Sequence, residues 1–276
     1  MTARIVRLTD RGLISVRGPG AQKFLQDLVT ADVDRLPEKG LTYSGLLTPQ
    51  GKILFDFFII RESQAYAIDC LLAQRDEIIK KLKFYRLRAK LDIEADDRGV
   101  TAVENDVMRN ALRDPRSDDM GARLYSSSEA GQETVAHYHE KRIRCGLAEG
   151  GHDFDSGEIY PHEANFDQIG ALSFRKGCFI GQEVVSRMEH RGTARSRILP
   201  CHVEGSLPAK GSEITAAGKI IGNACSGLGD RMLGLLRLDR LEDAVNRGLP
   251  LMAGETRIAA AKAPWARYSV ASVSSR

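Results

Sequence analysis

The densest chemistry in the chain lies in Arg175-Lys176-Gly177-Cys178-Phe179-Ile180-Gly181-Gln182-Glu183. Glycines flank a cysteine, and a lysine stands two residues before it. A thiol in an electropositive loop shifts toward thiolate, the form that attacks electrophiles and binds metals. Gly177 and Gly181 let the backbone bend sharply or approach a ligand closely. The competing reading is a small buried core residue, the usual fate of a free cysteine. The residues alone leave the two open for Cys178, whereas Cys70, Cys145, Cys201 and Cys225 sit in apolar patterns and read as packing. Asp56 interrupts Ile53-Leu54-Phe55-Asp56-Phe57-Phe58-Ile59-Ile60, and a buried carboxylate is costly unless partnered. Either an arginine or backbone donors satisfy it, or it faces a ligand cavity. Glu163, in Tyr160-Pro161-His162-Glu163-Ala164-Asn165, either caps a turn or grips a pair of donors with both oxygens.

These groups need elements to hold them. A helix starting at Gln182 carries Val184, Val185 and Met188 on its apolar face and projects Arg187 and Arg191, four apart, from one side. Asp56 belongs to a hairpin, near 43–47 and 52–60, turned by Thr48-Pro49-Gln50-Gly51. Two strands near 5–8 and 13–16 precede it, followed by a helix with Ala21, Phe24, Leu25, Leu28 and Val29 on one face. A strand near 66–68 leads to a helix that takes in Leu71, Leu72, Ile78, Ile79 and Leu82. The polar stretch from 96 to 130 holds short strands near 99–103 and 122–125, and a helix covers 133–144. Residues 146–165, rich in Gly, Asp, Glu and Pro, read as a long functional loop. From Arg195 onward, short apolar runs alternate with glycines, the pattern of a small barrel or sandwich interrupted by a helix at 238–246.

The expected fold class is α+β. Its body spans residues 1–195, in subdomains of roughly 1–95 and 96–195, and a β-barrel spans 196–276. The chain has 276 residues, 42% hydrophobic and 28% charged, with a formal charge of +3. So small a charge does not point to nucleic acid as the main ligand, and RNA binding fits part of the basic segment, which lacks the interleaved aromatics of single-strand binders. No apolar run is long enough to span a bilayer. Five cysteines without a CxxC pair argue for a reducing compartment, with cytoplasm as the default. Six histidines are scattered without metal-ligand spacing, so no metal is expected.

The segment from Lys176 to Glu183 resembles the signature of the YgfZ family, relatives of the glycine-cleavage T-protein. There lysine-glycine-cysteine-tyrosine is followed within two residues by glycine-glutamine-glutamate. Phe179 replaces the tyrosine, keeping the ring and losing the hydroxyl. Arg142, Gly146 and Glu149-Gly150-Gly151-His152-Asp153 match the approach to the motif. Pro161, Glu163, Asn165, Ser173, Arg187, Arg191 and Gly192 match its surroundings, and Val16 to Gln26 and Leu47 to Lys52 match the superfamily opening. The resemblance implies a T-protein-like folate-binding body with a C-terminal barrel, tetrahydrofolate as cofactor, and iron–sulfur enzymes or cluster-assembly proteins as partners. It places Glu163, Asp56, Gln182 and Arg187 at the folate, the cations suiting its anionic tail, and Cys178, Lys176 and Asp56 at any chemistry. An aminomethyltransferase or demethylase is the alternative, weakened because Phe55 stands where many T-proteins carry the first of two aspartates. A non-catalytic relic with a disused cavity is a third reading.

Overall fold

The structure is a computed structural model that describes residues 4–104, 108, 110–127, 133–192 and 194–270. Parts of the polar stretch, and the last six residues of the expected barrel domain, lie outside the described residues. The chain opens with β1 (Ile5–Arg7), β2 (Arg11–Arg17) and α1 (Ala21–Leu28). The hairpin β3 (Leu41–Leu47) and β4 (Ile53–Arg61) turns at Gly51, whose φ of 81° suits glycine. β5 (Ala65–Leu71), α2 (Arg75–Arg86) and β6 (Asp92–Asp96) follow. Leu71 ends the strand and Leu72 lies in a 3-10 turn, so α2 begins later than the apolar spacing suggests. The antiparallel pairing of Arg11 with Leu71 holds that residue in the sheet. The sheet order is β3-β4-β5-β2-β6.

Strand alternation gives this sheet two buried faces. Phe55, Phe57 and Ile59 of β4 pack with Leu25 of α1 and Ile78 and Leu82 of α2. Phe58 and Ile60 join the other core, and Asp56 shares their side of the strand by the same alternation. Arg11 and Asp69 lie on that side too, in phase with Leu13 and Ala67.

The second sheet covers this inner face. It comprises β7 (Gly99–Val103), β8 (Leu112–Arg113) and β9 (Ala122–Ser126) in the order β1-β7-β9-β8. The first strand of the chain therefore crosses the expected subdomain division at residue 95, pairing Ile5 with Val103. Next come α3 (Val135–Arg144), a run of turns, and α4 (Gln182–Arg191). The strands β10 (Ser196–Glu204), β11 (Glu213–Ala216), β12 (Lys219–Leu228), β13 (Arg231–Arg237), β14 (Leu251–Ala253) and β15 (Thr256–Ala260) close into a barrel. Its α5 (Leu238–Asn246) buries Leu241 and Ala244 in the barrel's own core. Trp265 is half-buried against the body, its indole donating to the Cys145 carbonyl at 2.8 Å.

Between the two sheets the core is ionic. Arg11 holds Asp69 at 2.7 Å, and Arg123 takes the other Asp69 oxygen at 2.7 Å. Arg116 joins Asp114 at 2.8 Å and Glu149 at 2.6 Å, and Tyr138 donates to Glu149 at 2.5 Å. Arg142 pairs with Asp153 at 2.6 Å. The guanidinium of Arg123 lies 3.7 Å from the centre of the Phe58 ring, and that of Arg116 lies 4.6 Å from it. Burial alone would raise the Glu149 pKa, yet Arg116, Arg11, Arg142 and Arg123 hold it well below the carboxylate range. Its stabilising contribution is therefore complete above its unfolded value near 4.5 and lost as the pH falls through the lower folded value. Glu149→Gln is expected to destabilise the chain by about 3–5 kcal/mol at pH 7, since it leaves buried guanidinium charge uncompensated. Chemical denaturation across pH should show the deficit shrinking in acid; a deficit independent of pH would contradict this.

Candidate functional site

Cys178 is exposed on the turn that leads into α4. Its neighbours point the other way. Phe179 is buried in the core, and Lys176 is buried with it, its ammonium 5.3 Å from the Phe179 ring centre. That ammonium donates to the carbonyls of Val29 at 2.6 Å and Ala31 at 2.8 Å, beyond the end of α1. Desolvation lowers the Lys176 pKa to about 8, against the pull of Asp32, Asp27 and Asp34. The expected catalytic lysine is thus a clamp. Its closeness to Cys178 in sequence does not make it a partner of the thiol, because both of its bonds run inward.

The far side of the turn is held by backbone contact. Gly181, at φ 80°, is the N-cap of α4, and a Cβ there would lie 2.7 Å from the Thr48 carbonyl. A Cβ on Gly51 would lie 2.9 Å from that of Val184. The two glycines let the β3–β4 turn and the cysteine turn touch main chain to main chain. Between them lies a hollow of about 530 Å³, lined by Pro49, Cys178, Ile180, Gln182, Glu183 and Ser186. Of the expected site residues, the structure brings Cys178 and Gln182 together here. Arg187 stands on the exposed side of α4 and pairs with Glu183 at 2.7 Å.

Asp56 and Glu163 are elsewhere. Asp56 is buried, accepting from the Tyr43 hydroxyl and from the Gly150 amide at 3.0 Å. Burial raises its pKa, opposed by the bonds from Tyr43 and Gly150. Of the alternatives left open by the sequence, a backbone donor with a tyrosine hydroxyl satisfies it. Glu163 is half-buried and accepts from the Tyr160 amide at 2.8 Å, so it caps its own turn. Desolvation raises its pKa, offset by that bond and by Lys52.

A pterin has no room against Asp56. Tyr43, Phe58, Asp69, Glu149 and Phe166 each keep 1% or less of their surface open, which leaves no water-sized space beside them. A Cβ on Gly150 would lie 2.2 Å from an Asp56 oxygen, so even a methyl group has no room there. Glu149, Tyr43, Arg116 and Arg123 form the centre that sequence reasoning missed. Asp69, inside the apolar strand Ala65–Leu71, was the visible signal, of the same kind as Asp56.

A second cluster was also hidden. Asp10, His139 and His152 bring three metal-capable atoms within 4.8 Å of one another. His139 lies 2.8 Å from Asp10, and Arg142 donates to its Nδ1 at 2.9 Å. That donor leaves the ring hydrogen on Nε2, directed at Asp10, so the atom a metal would need is a hydrogen-bond donor. Burial works to raise the Asp10 pKa, but hydrogen bonds from the two histidines bring it below the ordinary range.

Two outcomes check this geometry. Because the folded pKa of Asp56 is raised, the charged form is disfavoured, and stability falls as pH rises from its unfolded value of 3.8 through the folded one. Asp56→Asn keeps both partners without the charge and is expected to match or exceed the wild-type melting temperature at pH 8, by less at pH 4. A loss at pH 8 would contradict it. Calorimetric titration with tetrahydrofolate is expected to give the same result for the wild type and for Asp56→Asn, since Asp56 is sealed by Tyr43 and Gly150; an isotherm weakened by Asp56→Asn would contradict this.

Comparison with known proteins agrees with this architecture. The GCVT N-terminal domain family matches residues 3–150, and the CAF17 C-terminal beta-barrel domain matches residues 195–268. The iron–sulfur cluster assembly factor IBA57 homolog of Pyricularia oryzae is 32% identical, over 92% of this chain and 77% of its own length. IBA57 of Mus musculus is 30% identical over 86% of this chain and 78% of its own. The glycine cleavage system aminomethyltransferase T of Bartonella henselae superposes with a TM-score of 0.76 at 17% identity, covering 96% of this chain and 86% of that one. The fold is α+β, GcvT-like, with a closed six-stranded barrel. These relatives bear the name IBA57 rather than YgfZ. They are also named mitochondrial, which overturns the cytoplasmic expectation. Unpaired cysteines register a reducing milieu and do not say which compartment supplies it. Among the described residues, no helix is long and apolar enough to cross a membrane. On the match of its first 150 residues and on its likeness to these factors, the chain belongs to the GcvT-like family that includes IBA57.

Proposed function

We propose that this chain is an accessory factor in the assembly or repair of iron–sulfur proteins, working through Cys178. The observation that carries the reading is one exposed thiol on a turn clamped from both sides. Family membership supports it, since the relatives above are named for iron–sulfur cluster assembly. Iron–sulfur clusters are held by cysteine thiolates, usually four. Cys70, Cys201 and Cys225 are buried, with thiol pKa values pushed up by desolvation, to about 12 for Cys70 and Cys201. Cys145 is half-buried beside Trp265, away from the Cys178 turn, so one exposed thiol does not enclose a cluster and the remaining ligands come from a partner protein. The cluster is then cargo. Cys178 gives up its proton to solvent, donates a sulfur lone pair to iron in place of a donor's ligand, and releases the iron when an acceptor thiolate takes that position.

Gln182 lines the same hollow and offers an amide beside the thiol. Lys176 and Phe179 act as positioning residues. Tetrahydrofolate has no step in this reading. The GcvT-like fold is a folate-binding one in general, but here Asp56 is sealed by Tyr43 and Gly150 and Glu163 is engaged in capping.

In cells lacking the chain, Cys178→Ala is expected to restore little of the activity of an iron–sulfur dehydratase. The purified variant should melt with the wild type, because the side chain is exposed. Full restoration by Cys178→Ala would refute the role of the thiol.

A further inference from the structure

We propose that the C-terminal end of α2, the segment from Lys80 to Lys90, is a docking surface for an acidic protein partner that is thereby brought to Cys178. Between Ile78 and Leu91 the chain carries Lys80, Lys81, Lys83, Arg86, Arg88 and Lys90 and no acidic residue. Lys80, Lys83, Arg88 and Lys90 are exposed, and none of them has an ion-pair partner among the described residues. Within this field stand the two most exposed large apolar side chains among the described residues, Phe84 at 70% and Leu87 at 84%. Phe84 is in the last turn of α2 and Leu87 is the residue that caps it. An exposed phenylalanine with Arg86 and Arg88 nearby in the chain has the aromatic and arginine content that interfaces favour, and the lysines give the field its charge.

Leu87 supplies a second, independent observation. It caps α2 at φ 50° and ψ −112°, a positive-φ backbone, outside the left-handed helical region, that favours glycine and strains a leucine. Glycine would end the helix at lower energy and would also remove an exposed apolar side chain. The chain keeps leucine where both backbone and solvent disfavour it, and a partner's apolar cleft accounts for that. Phe84 is prepared in the same way. The Lys81 ammonium lies 5.9 Å from its ring centre and 5.5 Å from that of Tyr85, bracing the aromatic pair.

The patch is continuous with the thiol. The Lys90 carbonyl lies where a side chain on Gly18 would begin, 2.4 Å from its Cβ position. The next residue, Pro19, lines a hollow shared with Gly177, the neighbour of Cys178. A partner seated on Phe84 and Leu87 and reaching across Pro19 passes Lys23, Asp27 and Asp34 on its way to the Gly177–Cys178 turn. Charge complementarity makes that partner acidic. A protein is favoured over an anionic bilayer because two side chains are a small apolar area for membrane insertion.

This proposal rests on the iron–sulfur reading, and the test separates the two. In cells lacking the chain, Phe84→Ser/Leu87→Ser and Lys83→Glu/Arg88→Glu are each expected to lower iron–sulfur dehydratase activity about tenfold relative to wild type. Both should keep the wild-type melting temperature, since all four residues are exposed. If loss of the chain lowers activity but these variants restore it fully, the docking surface is overturned and the iron–sulfur reading stands. If loss of the chain leaves activity unchanged, the iron–sulfur reading itself fails, and this proposal with it. A benzoylphenylalanine crosslinker in place of Phe84 should give an adduct with an acidic protein, in a yield that collapses with Lys83→Glu/Arg88→Glu. A basic adduct, or a yield insensitive to charge, overturns the assignment. So does sedimentation of the wild type, but not of Phe84→Ser/Leu87→Ser, with phosphatidylserine vesicles.

Discussion

Arg11, Arg116, Arg123 and Arg142 face Asp69, Asp114, Glu149 and Asp153 between two sheets, and the rest of the body is arranged to keep those charges neutralised out of water. An isolated buried charge is intolerable, whereas an alternating array in which each charge faces an opposite one is tolerable. The array is also demanding. Each guanidinium needs its carboxylates at hydrogen-bond distance, so the sheets cannot slide or separate without orphaning several groups together. The aromatic floor of Tyr43 and Phe58 helps, because planar guanidinium groups stack on rings that a lysine ammonium would cover poorly. Hydrophobic burial alone permits many packings of two sheets. This array permits few.

Filling the centre changes what the fold can do. In this chain the space between the two body sheets holds its own charged side chains. Chemistry that needs a bound ring beside Asp56 has no place there, because the carboxylate already has Tyr43 and Gly150 as partners. The reactive possibilities move outward, to the turn that carries Cys178. That turn inherits rigidity from the centre, since Phe179 belongs to the same hydrophobic cluster as Phe58 and Tyr43. An exposed thiol on a rigid mount presents one geometry to whatever approaches. A thiol on a loose loop would have to be ordered at every encounter, at an entropic cost of about 1–2 kcal/mol per residue.

What could be read from the sequence follows from the range of the interactions. The β3–β4 hairpin, α4 and the helix in the barrel were legible because their signals are local: a turn with Gly51, apolar spacing, a glycine before Gln182. The central array was not legible, because Arg11 finds Asp69 across 58 residues and Asp56 finds Gly150 across 94. No spacing rule spans such distances. Asp56 announced only that something must satisfy it. Lys176 misled for the opposite reason. Two residues along an irregular turn can face opposite ways, and sequence distance does not say which side of the backbone a long side chain takes.

The lysine also explains why the turn tolerates phenylalanine where the signature it resembles has tyrosine. The ring at Phe179 is covered on one side by the Lys176 ammonium and is otherwise buried. A hydroxyl there would need a partner, and the ammonium, bonded to Val29 and Ala31, is a donor and not an acceptor. Phenylalanine keeps the cation–ring contact and demands nothing more. The clamp therefore depends on the face of the ring and not on its edge, and the chemistry of the turn is left to the one side chain that points out, Cys178.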